Sequence, residues 1–309
     1  MSTAADRPYR VLQVVQRFAP ELGGLETHVA EVTKRLAGTR DVEVTVLTTD
    51  RTGALPREDR INGVRVIRRR SYRRNGEEYF SPGLVRVIRR GGWDLVHVQG
   101  SQTTVPTVAM LAARSARIPY VLTFHSGGHS SAGHSRITRV QNAINRPLLA
   151  RAARLIAVSR FERTRFAGIT GLPEDRFSVI QNGGALPPVP TGAAPVRGAI
   201  VTSGRLEQYK GHHRVIAALP LIRAAMPEAT LTVLGSGPYE EALRRLAEER
   251  GVADAVTFTH LLPAQRSEMA AILSRSSVMA ALSSYEAHPV AVMEAVALCL
   301  LYTSPSPRD

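Results

Sequence analysis

Two cations five residues apart, Arg205 and Lys210, stand in Ser203-Gly204-Arg205-Leu206-Glu207-Gln208-Tyr209-Lys210-Gly211, between an apolar run and a helical pattern. A loop so placed can grip a diphosphate, the arginine as a planar fork and the lysine as a compact point charge. Composition singles out the lysine: of 40 Lys and Arg, only Lys34 and Lys210 are lysine. A solvated turn with two surface charges is the plainer alternative for this loop taken alone.

Two carboxylates follow at a second spacing, Glu286 and Glu294, in Glu286-Ala287-His288-Pro289-Val290-Ala291-Val292-Met293-Glu294. Pro289 suits the first turn of a helix, so Glu286 falls in the loop before it and Glu294 about two turns later. In that arrangement Glu286 faces the sugar end of a ligand and Glu294 accepts hydrogen bonds from ribose hydroxyls; two helix-surface glutamates are the alternative. Gly23-Gly24 joins the first strand to the first helix, where bare backbone and a helix N-terminus suit phosphate. It is not the G-x-G-x-x-G fingerprint. Leu234-Gly235-Ser236-Gly237-Pro238 again ends a strand and opens a helix, leaving room for a nucleotide beside Gly235 and Gly237. His125, in Thr123-Phe124-His125-Ser126-Gly127-Gly128-His129, sits at a strand's carboxyl end, where an imidazole can bond sugar hydroxyls or orient a reacting group. A metal site of His125, His129 and His134 lacks helical ligand spacing, and no metal is expected.

Short Val-, Ile- and Leu-rich runs that alternate with helical patterns place these groups, which argues for parallel βαβ units. Strands are expected at 9–16, 42–49, 64–68, 95–99, 120–124, 155–158 and 177–181, with helices over 27–36, 104–116 and 137–152. The stretch Gly183 to Pro195 reads as a linker. A second series follows, with strands at 199–203, 230–234, 255–258 and 278–281 and helices over 212–225, 239–249, 264–273 and 289–298. The fold class is therefore α/β, two Rossmann-like doubly wound domains facing a cleft, where open sheets bind ligands at their carboxyl ends. The expected domains are 1–185, a linker at 186–197, and 198–298, the second one incomplete. Residues 299–309 break the pattern and resemble the translated end of a sequencing adapter. The expectation is a shortened chain whose Cys299 and following residues are not native.

The 309 residues suit two domains, and the content, 44% hydrophobic and 21% charged, is that of a globular protein. No apolar run is long enough to span a bilayer, and the first residues lack a signal peptide's apolar core, so the expected location is cytoplasmic. One cysteine excludes an internal disulfide. The net charge of +14 is uneven: residues 1–190 hold 29 Lys and Arg against 15 Asp and Glu, while residues 191–309 hold 11 of each. Such asymmetry suggests an anionic partner for the first half, unless it only reflects an arginine-rich composition. Leu84, Val85, Val87 and Ile88 interleave with Arg86, Arg89 and Arg90 as in an interfacial amphipathic helix, which points to the inner face of the plasma membrane. No aromatic-interleaved basic motif of a nucleic-acid module is present, and no nucleic acid partner is expected.

Together these motifs resemble the retaining glycosyltransferases of family 4, which have the two-domain GT-B fold. The resemblance runs from Tyr9 to Leu298 and is carried most specifically by Gly204-Arg205 with Lys210-Gly211 and by the Glu286/Glu294 pair. It implies transfer of a sugar from a nucleotide-diphosphate donor, a substrate and not a cofactor, to a glycan or lipid-linked acceptor, without a metal. The first domain then lies on the acceptor side. Arg205 and Lys210 become the diphosphate clamp, Gly23 and Gly24 the loop facing the donor, and His125 the histidine near the transferred sugar. Glu286 takes the donor-sugar position and Glu294 the ribose, while Val290 and Ala291 offer N–H groups to the phosphates. Gly183-Gly184-Ala185 lacks the Asp that members often carry after the hinge Asn-Gly, and Ala287-His288 departs from their usual Gly or Phe. The rival readings are a GT-B nucleotide-sugar epimerase and a non-enzymatic basic module for membrane or nucleic acid.

Overall fold

The structure, a computed structural model, describes residues 7–21, 23–73, 79–101, 103–125, 145–183, 194–261, 265–284, 286, 288–298 and 300–303. The chain divides into two compact units, residues 1–181 and 182–309.

The first unit is built on an eight-stranded sheet. Its strands are β1 (Tyr9–Val14), β2 (Val42–Asp50), β3 (Glu58–Ile61), β4 (Val64–Arg70), β7 (Leu95–Gln99), β8 (Tyr120–Thr123), β9 (Arg154–Ala157) and β10 (Phe177–Val179). A separate two-stranded ribbon pairs β5 (Tyr72–Arg73) with β6 (Tyr79–Phe80). The order in the large sheet is β10-β9-β8-β7-β1-β2-β4-β3, parallel apart from β3. Strand order reverses between β1 and β7, so the crevice of a doubly wound sheet opens there. Continuous apolar strands suit this interior: Leu12, Val14, Val96, Val98 and Leu122 are fully buried. Among the described residues, helices α1 (Gly24–Ala37), α2 (Gly83–Arg90), α3 (Thr104–Ser115) and α4 (Arg160–Thr170) accompany the sheet. A capping box starts α4: Ser159 Oγ accepts the Glu162 N–H while the Glu162 carboxylate reaches back to the Val158 N–H.

The second unit carries a wholly parallel sheet of β11 (Ala199–Ser203), β12 (Thr230–Leu234), β13 (Val256–Thr259), β14 (Val278–Ala280) and β15 (Leu301–Thr303). Its order is β13-β12-β11-β14-β15, with the reversal between β11 and β14. The helices are α5 (His212–Ala225), α6 (Glu240–Glu249), α7 (Arg266–Arg275) and α8 (Val290–Ala297).

Three expectations need correction. First, the apolar face of α2 is not available to a membrane: Leu84 and Ile88 are fully buried, with Val85 and Val87 packed against the same core beside Trp93 and Met110. Only Arg86, Arg89 and Arg90 face solvent. The interleaved pattern specifies a covered face without saying what covers it, and here the protein's own core does. Second, the last segment joins the sheet, since Val278, Met279 and Ala280 pair with Leu301, Tyr302 and Thr303. Leu300 is buried against Leu273 and Met279. The apolar run satisfies the open edge of β14 whatever its origin. Third, the sequence reading passed over β3 and the β5–β6 ribbon, whose charged residues break the apolar pattern that it followed. Most of the linker stretch, His129, His134 and Cys299 lie outside the described residues.

Candidate active site

In the second unit two loops leave the carboxyl ends of β11 and β14, the neighbours that flank the switch point. The first carries Arg205 and Lys210, the second Glu286. Hydrogen bonds stitch the loops together: Ser284 N–H donates to the Tyr209 carbonyl at 2.8 Å, and the Arg214 side chain, on α5, donates through Nη1 to the Leu282 carbonyl at 3.2 Å. Across this seam Lys210 Nζ donates to Glu286 Oε1 at 2.5 Å. Ser283 Oγ donates to the same oxygen at 2.8 Å. The sequence assigns Lys210 to the diphosphate and Glu286 to the sugar without joining them, and the fold joins them directly.

Arg205 takes a different partner, Glu207, with Nη2 at 2.8 Å from Oε1, and its side chain is about half exposed. The Tyr209 phenol ties the cluster together. Burial raises its pKa, and Lys210, Glu207, Glu286 and Arg205 all act on it through space. His212 was not singled out from the sequence, yet its buried ring spans the loop, Nδ1 at 3.0 Å from Thr202 Oγ1 and Nε2 at 3.2 Å from the Arg205 carbonyl. Burial lowers its pKa.

Gly235 and Gly237 lie against the Arg205 loop. A Cβ on Gly235 would lie 2.0 Å from the Gly204 carbonyl oxygen, and one on Gly237 would lie 2.4 Å from that of Leu206. The space where their side chains would stand is filled by the Arg205 loop. The residue before each glycine also holds that loop, Gly204 N–H donating to Leu234 O at 3.0 Å and Leu206 N–H to Ser236 O at 3.0 Å.

Val290 and Ala291 open α8, whose first turn has no side-chain cap, so its N–H groups keep their capacity for an anion. Pro289 is the residue just before the helix. Glu294 is 2% exposed. Its Oε1 accepts from Arg266 Nη2 at 2.6 Å, a contact between α7 and α8 that no local spacing announces. Asn182, from the Asn-Gly pair, donates to the His288 carbonyl at 3.3 Å.

In the first unit the candidate groups meet at the switch point between β1 and β7. Gly23 caps α1 with extended backbone, and nothing lies within 4 Å of a Cβ on Gly24. The buried Glu26 carboxylate lies against Gly23 and pairs with Arg17 Nε at 3.2 Å. His125 follows β8, its ring centroid 5.1 Å from that of His28 on α1. Beneath it the sequence reading missed a polar network: His125 Nε2 meets Gln99 Oε1 at 2.7 Å, Gln99 Nε2 donates to Gln13 Oε1 at 2.8 Å, and Gln13 Nε2 lies 3.1 Å from His97 Nδ1. Alternate residues of β7 and their neighbour on β1 point the same way, a period-two signal that was there to be read.

Burial lowers His97 to about 4 and pushes His125 well below the ordinary imidazole value, with His28 adding to both. Glu162 moves oppositely, raised to about 7 by burial. For His97 the unfolded chain binds more protons than the folded one between pH 6.5 and about 4, and the lowered His125 acts in the same direction. Stability is therefore lost as pH falls, by roughly 1.4 kcal/mol per pH unit for each group. Glu162, protonated in the folded state between 4.5 and about 7, opposes one of them. The expected result is a melting temperature that falls from pH 7 to pH 5, and more steeply in Glu162→Gln; calorimetry across that range checks both slopes.

Two open parallel sheets with charged loops at the carboxyl ends beside each switch point define a nucleotide-binding α/β class, and the fold is that of the GT-B glycosyltransferases. The chain belongs to glycosyltransferase family 4: the description Glycosyltransferase Family 4 matches residues 22–184, and Glycosyl transferases group 1 matches residues 193–302. It is 30% identical, over 81% of its own length and 67% of the relative's, to the GDP-mannose-dependent alpha-(1-6)-phosphatidylinositol monomannoside mannosyltransferase of Mycobacterium tuberculosis. With the GDP-mannose:cellobiosyl-diphosphopolyprenol alpha-mannosyltransferase of Xanthomonas oryzae the identity is 28%, over 94% of this chain and 77% of that one. Anabaena HepE, solved with UDP and glucose, superposes with a TM-score of 0.73 at 19% identity, covering 95% of this chain and 80% of HepE. The sucrose-phosphate synthase of Thermosynechococcus elongatus gives 0.72 at 18% identity, covering 96% and 81%. The protein is a nucleotide-sugar glycosyltransferase, and neither the epimerase nor the basic-module reading draws support from these relatives.

Proposed function

We propose that this chain transfers a sugar, with retained anomeric configuration and without a metal, from a nucleoside-diphosphate donor to a hydroxyl of a glycan or lipid-linked acceptor. The observation that carries the reading is the Lys210–Glu286 contact of 2.5 Å at the second unit's switch point. It sets a cation suited to a diphosphate beside a carboxylate suited to sugar hydroxyls. As the bond from the anomeric carbon to the diphosphate breaks, its electron pair leaves with the phosphate oxygen. The acceptor oxygen bonds the same carbon from the same face and yields its proton to the departing diphosphate. Lys210, Arg205 and the Val290 and Ala291 N–H groups stabilise the growing negative charge, the work a metal would otherwise do. Gly23 and Gly24 face the donor from α1, His125 stands beside the transferred sugar, and Glu286 positions that sugar without forming a covalent intermediate. Glu294, held by Arg266, accepts from the ribose.

The relatives named above make GDP-mannose the first donor to try, with phosphatidylinositol- or polyprenyl-linked glycans as acceptors. Incubated with GDP-mannose or UDP-glucose, the protein is expected to release nucleoside diphosphate only when acceptor is present, and to the same extent in EDTA. Release without acceptor, or loss of transfer on chelation, contradicts the respective part of the proposal.

The proposal places the enzyme at the cytoplasmic face of a membrane. Among the described residues no helix is long and apolar enough to cross one. Arg69 has its pKa lowered by burial and by Arg57, Arg65 and Arg86, so these cations crowd one region. With the apolar face of α2 occupied, binding there is electrostatic, worth about 1 kcal/mol per basic residue near an anionic surface. Co-sedimentation with vesicles is expected to rise with their phosphatidylserine content and to collapse near ~0.5 M salt, where screening is strong. Equal binding to neutral and anionic vesicles removes the idea.

A further inference from the structure

The five side chains of the first unit's polar network can be ordered by their donors. Gln99 spends its amide N–H on Gln13 Oε1, at 2.8 Å, and therefore presents its carbonyl oxygen to His125 Nε2, at 2.7 Å. Gln13, accepting at its oxygen, presents its own N–H to His97 Nδ1, at 3.1 Å. A His97 that accepts at Nδ1 carries its proton on Nε2, which then donates to Thr123 Oγ1 at 2.7 Å. This order satisfies the shorter contacts, those of 2.7–3.1 Å, and leaves only the longest one unmatched. Gln13 and Gln99 are buried, 1% and 3% exposed, so their amides have no water with which to turn over. The contact of 3.3 Å between Gln99 Nε2 and His97 Nε2 sets two N–H groups face to face and is the longest in the cluster.

We propose that Gln13, His97, Gln99 and Thr123 form a one-way chain of neutral hydrogen bonds that fixes His125 as its Nε2–H tautomer, leaving Nδ1 as an acceptor for a substrate hydroxyl. Gln99 is the positioning residue, acting through His125 and touching no substrate itself. The inference deepens, and rests on, the reading of His125 as the group beside the transferred sugar. An amide oxygen suits the task because it accepts from Nε2–H without offering a negative charge, whereas a carboxylate there would draw a second proton onto the ring. Burial of the ring works in the same direction, lowering its pKa.

The test is long-range proton–nitrogen NMR of protein labelled with 15N-histidine, the His125 signals being assigned by their loss in His125→Gln. The wild-type ring is expected to show a protonated Nε2 and a bare Nδ1 at pH 7.5, without substrate. A protonated Nδ1, or an averaged mixture, overturns the relay. In Gln99→Leu the tautomers are expected to mix, with kcat falling roughly tenfold or more and donor KM staying within about twofold, the size found when an imidazole's outer partner is lost. Wild-type kcat in that variant overturns the positioning role. Should Gln99→Leu fail to fold, Gln99→Glu keeps an acceptor in place: His125 is expected to become doubly protonated and the pH profile of kcat to move upward, and an unshifted profile overturns the proposal. The tautomer is read on the free protein, so failure to find any transferase activity leaves this result standing.

Discussion

Lys210→Ala is expected to lower kcat/KM by roughly 10²–10³, the loss usual for one well-placed donor to a developing oxyanion. The ammonium is enclosed, 18% exposed, and lies 2.5 Å from Glu286 and 5.1 Å from the centre of the Tyr209 ring. Its removal takes away the cation paired with Glu286 and leaves that carboxylate with Ser283 as its described partner. A nucleotide diphosphate then meets an uncompensated negative charge where it now meets a cation. The fold should hardly notice: an ion pair partly open to water contributes about 1 kcal/mol or less. Steady-state kinetics beside a melting curve separates the two effects, and a fall in stability that matches the fall in activity would count against the clamp. Arg205→Ala should act through the same charge but more weakly, because that side chain is about half exposed and already paired with Glu207.

The second large effect is on stability. Gly235→Ala is expected to destabilise the second unit by about 3 kcal/mol or more, as forced overpacking of backbone does. Its φ is +144°, which an L side chain rarely adopts, and the added Cβ would sit 2.0 Å from the Gly204 carbonyl oxygen. Neither partner can move cheaply, because Gly204 N–H is bonded to Leu234 O and Gly235 N–H to Thr259 O, both at 3.0 Å. A drop of roughly 10 °C in melting temperature follows for a domain of this size. Gly24→Ala is the matched control: it meets nothing within 4 Å and lies at the start of α1, so its stability should stay within about 0.5 kcal/mol of wild type. Thermal unfolding of the two variants tells glycines that pack loop on loop from glycines that leave a surface bare.

That contrast shows where the sequence was informative. Helix α5, expected over 212–225, spans those residues, because its apolar positions recur at helical spacing and Gly211 precedes it. The strands that pair around both switch points were visible as Val- and Ile-rich runs, and with them the loops bearing Arg205, Lys210 and His125. The packing of Gly235 and Gly237 against the Arg205 loop was not legible, because a glycine that admits a ligand and one that admits a neighbouring loop read alike. Arg266 on Glu294 and Lys210 on Glu286 join residues 28 and 76 positions apart, so only tertiary packing reveals them. The Gln13–His97–Gln99 cluster lay in the alternation of β1 and β7, but polar residues inside an otherwise apolar parallel strand were passed over, although a buried amide needs partners wherever it sits.

The central claim is that Lys210, beside Glu286, holds the donor's β-phosphate. Titration calorimetry of GDP and GMP, repeated with UDP and UMP, tests it directly in wild type and Lys210→Ala. The wild type should bind the diphosphate of the preferred base at least tenfold more tightly than its monophosphate, about 1.4 kcal/mol for the added phosphate. Lys210→Ala should bind the two alike. A variant that keeps the full preference for the diphosphate contradicts the account.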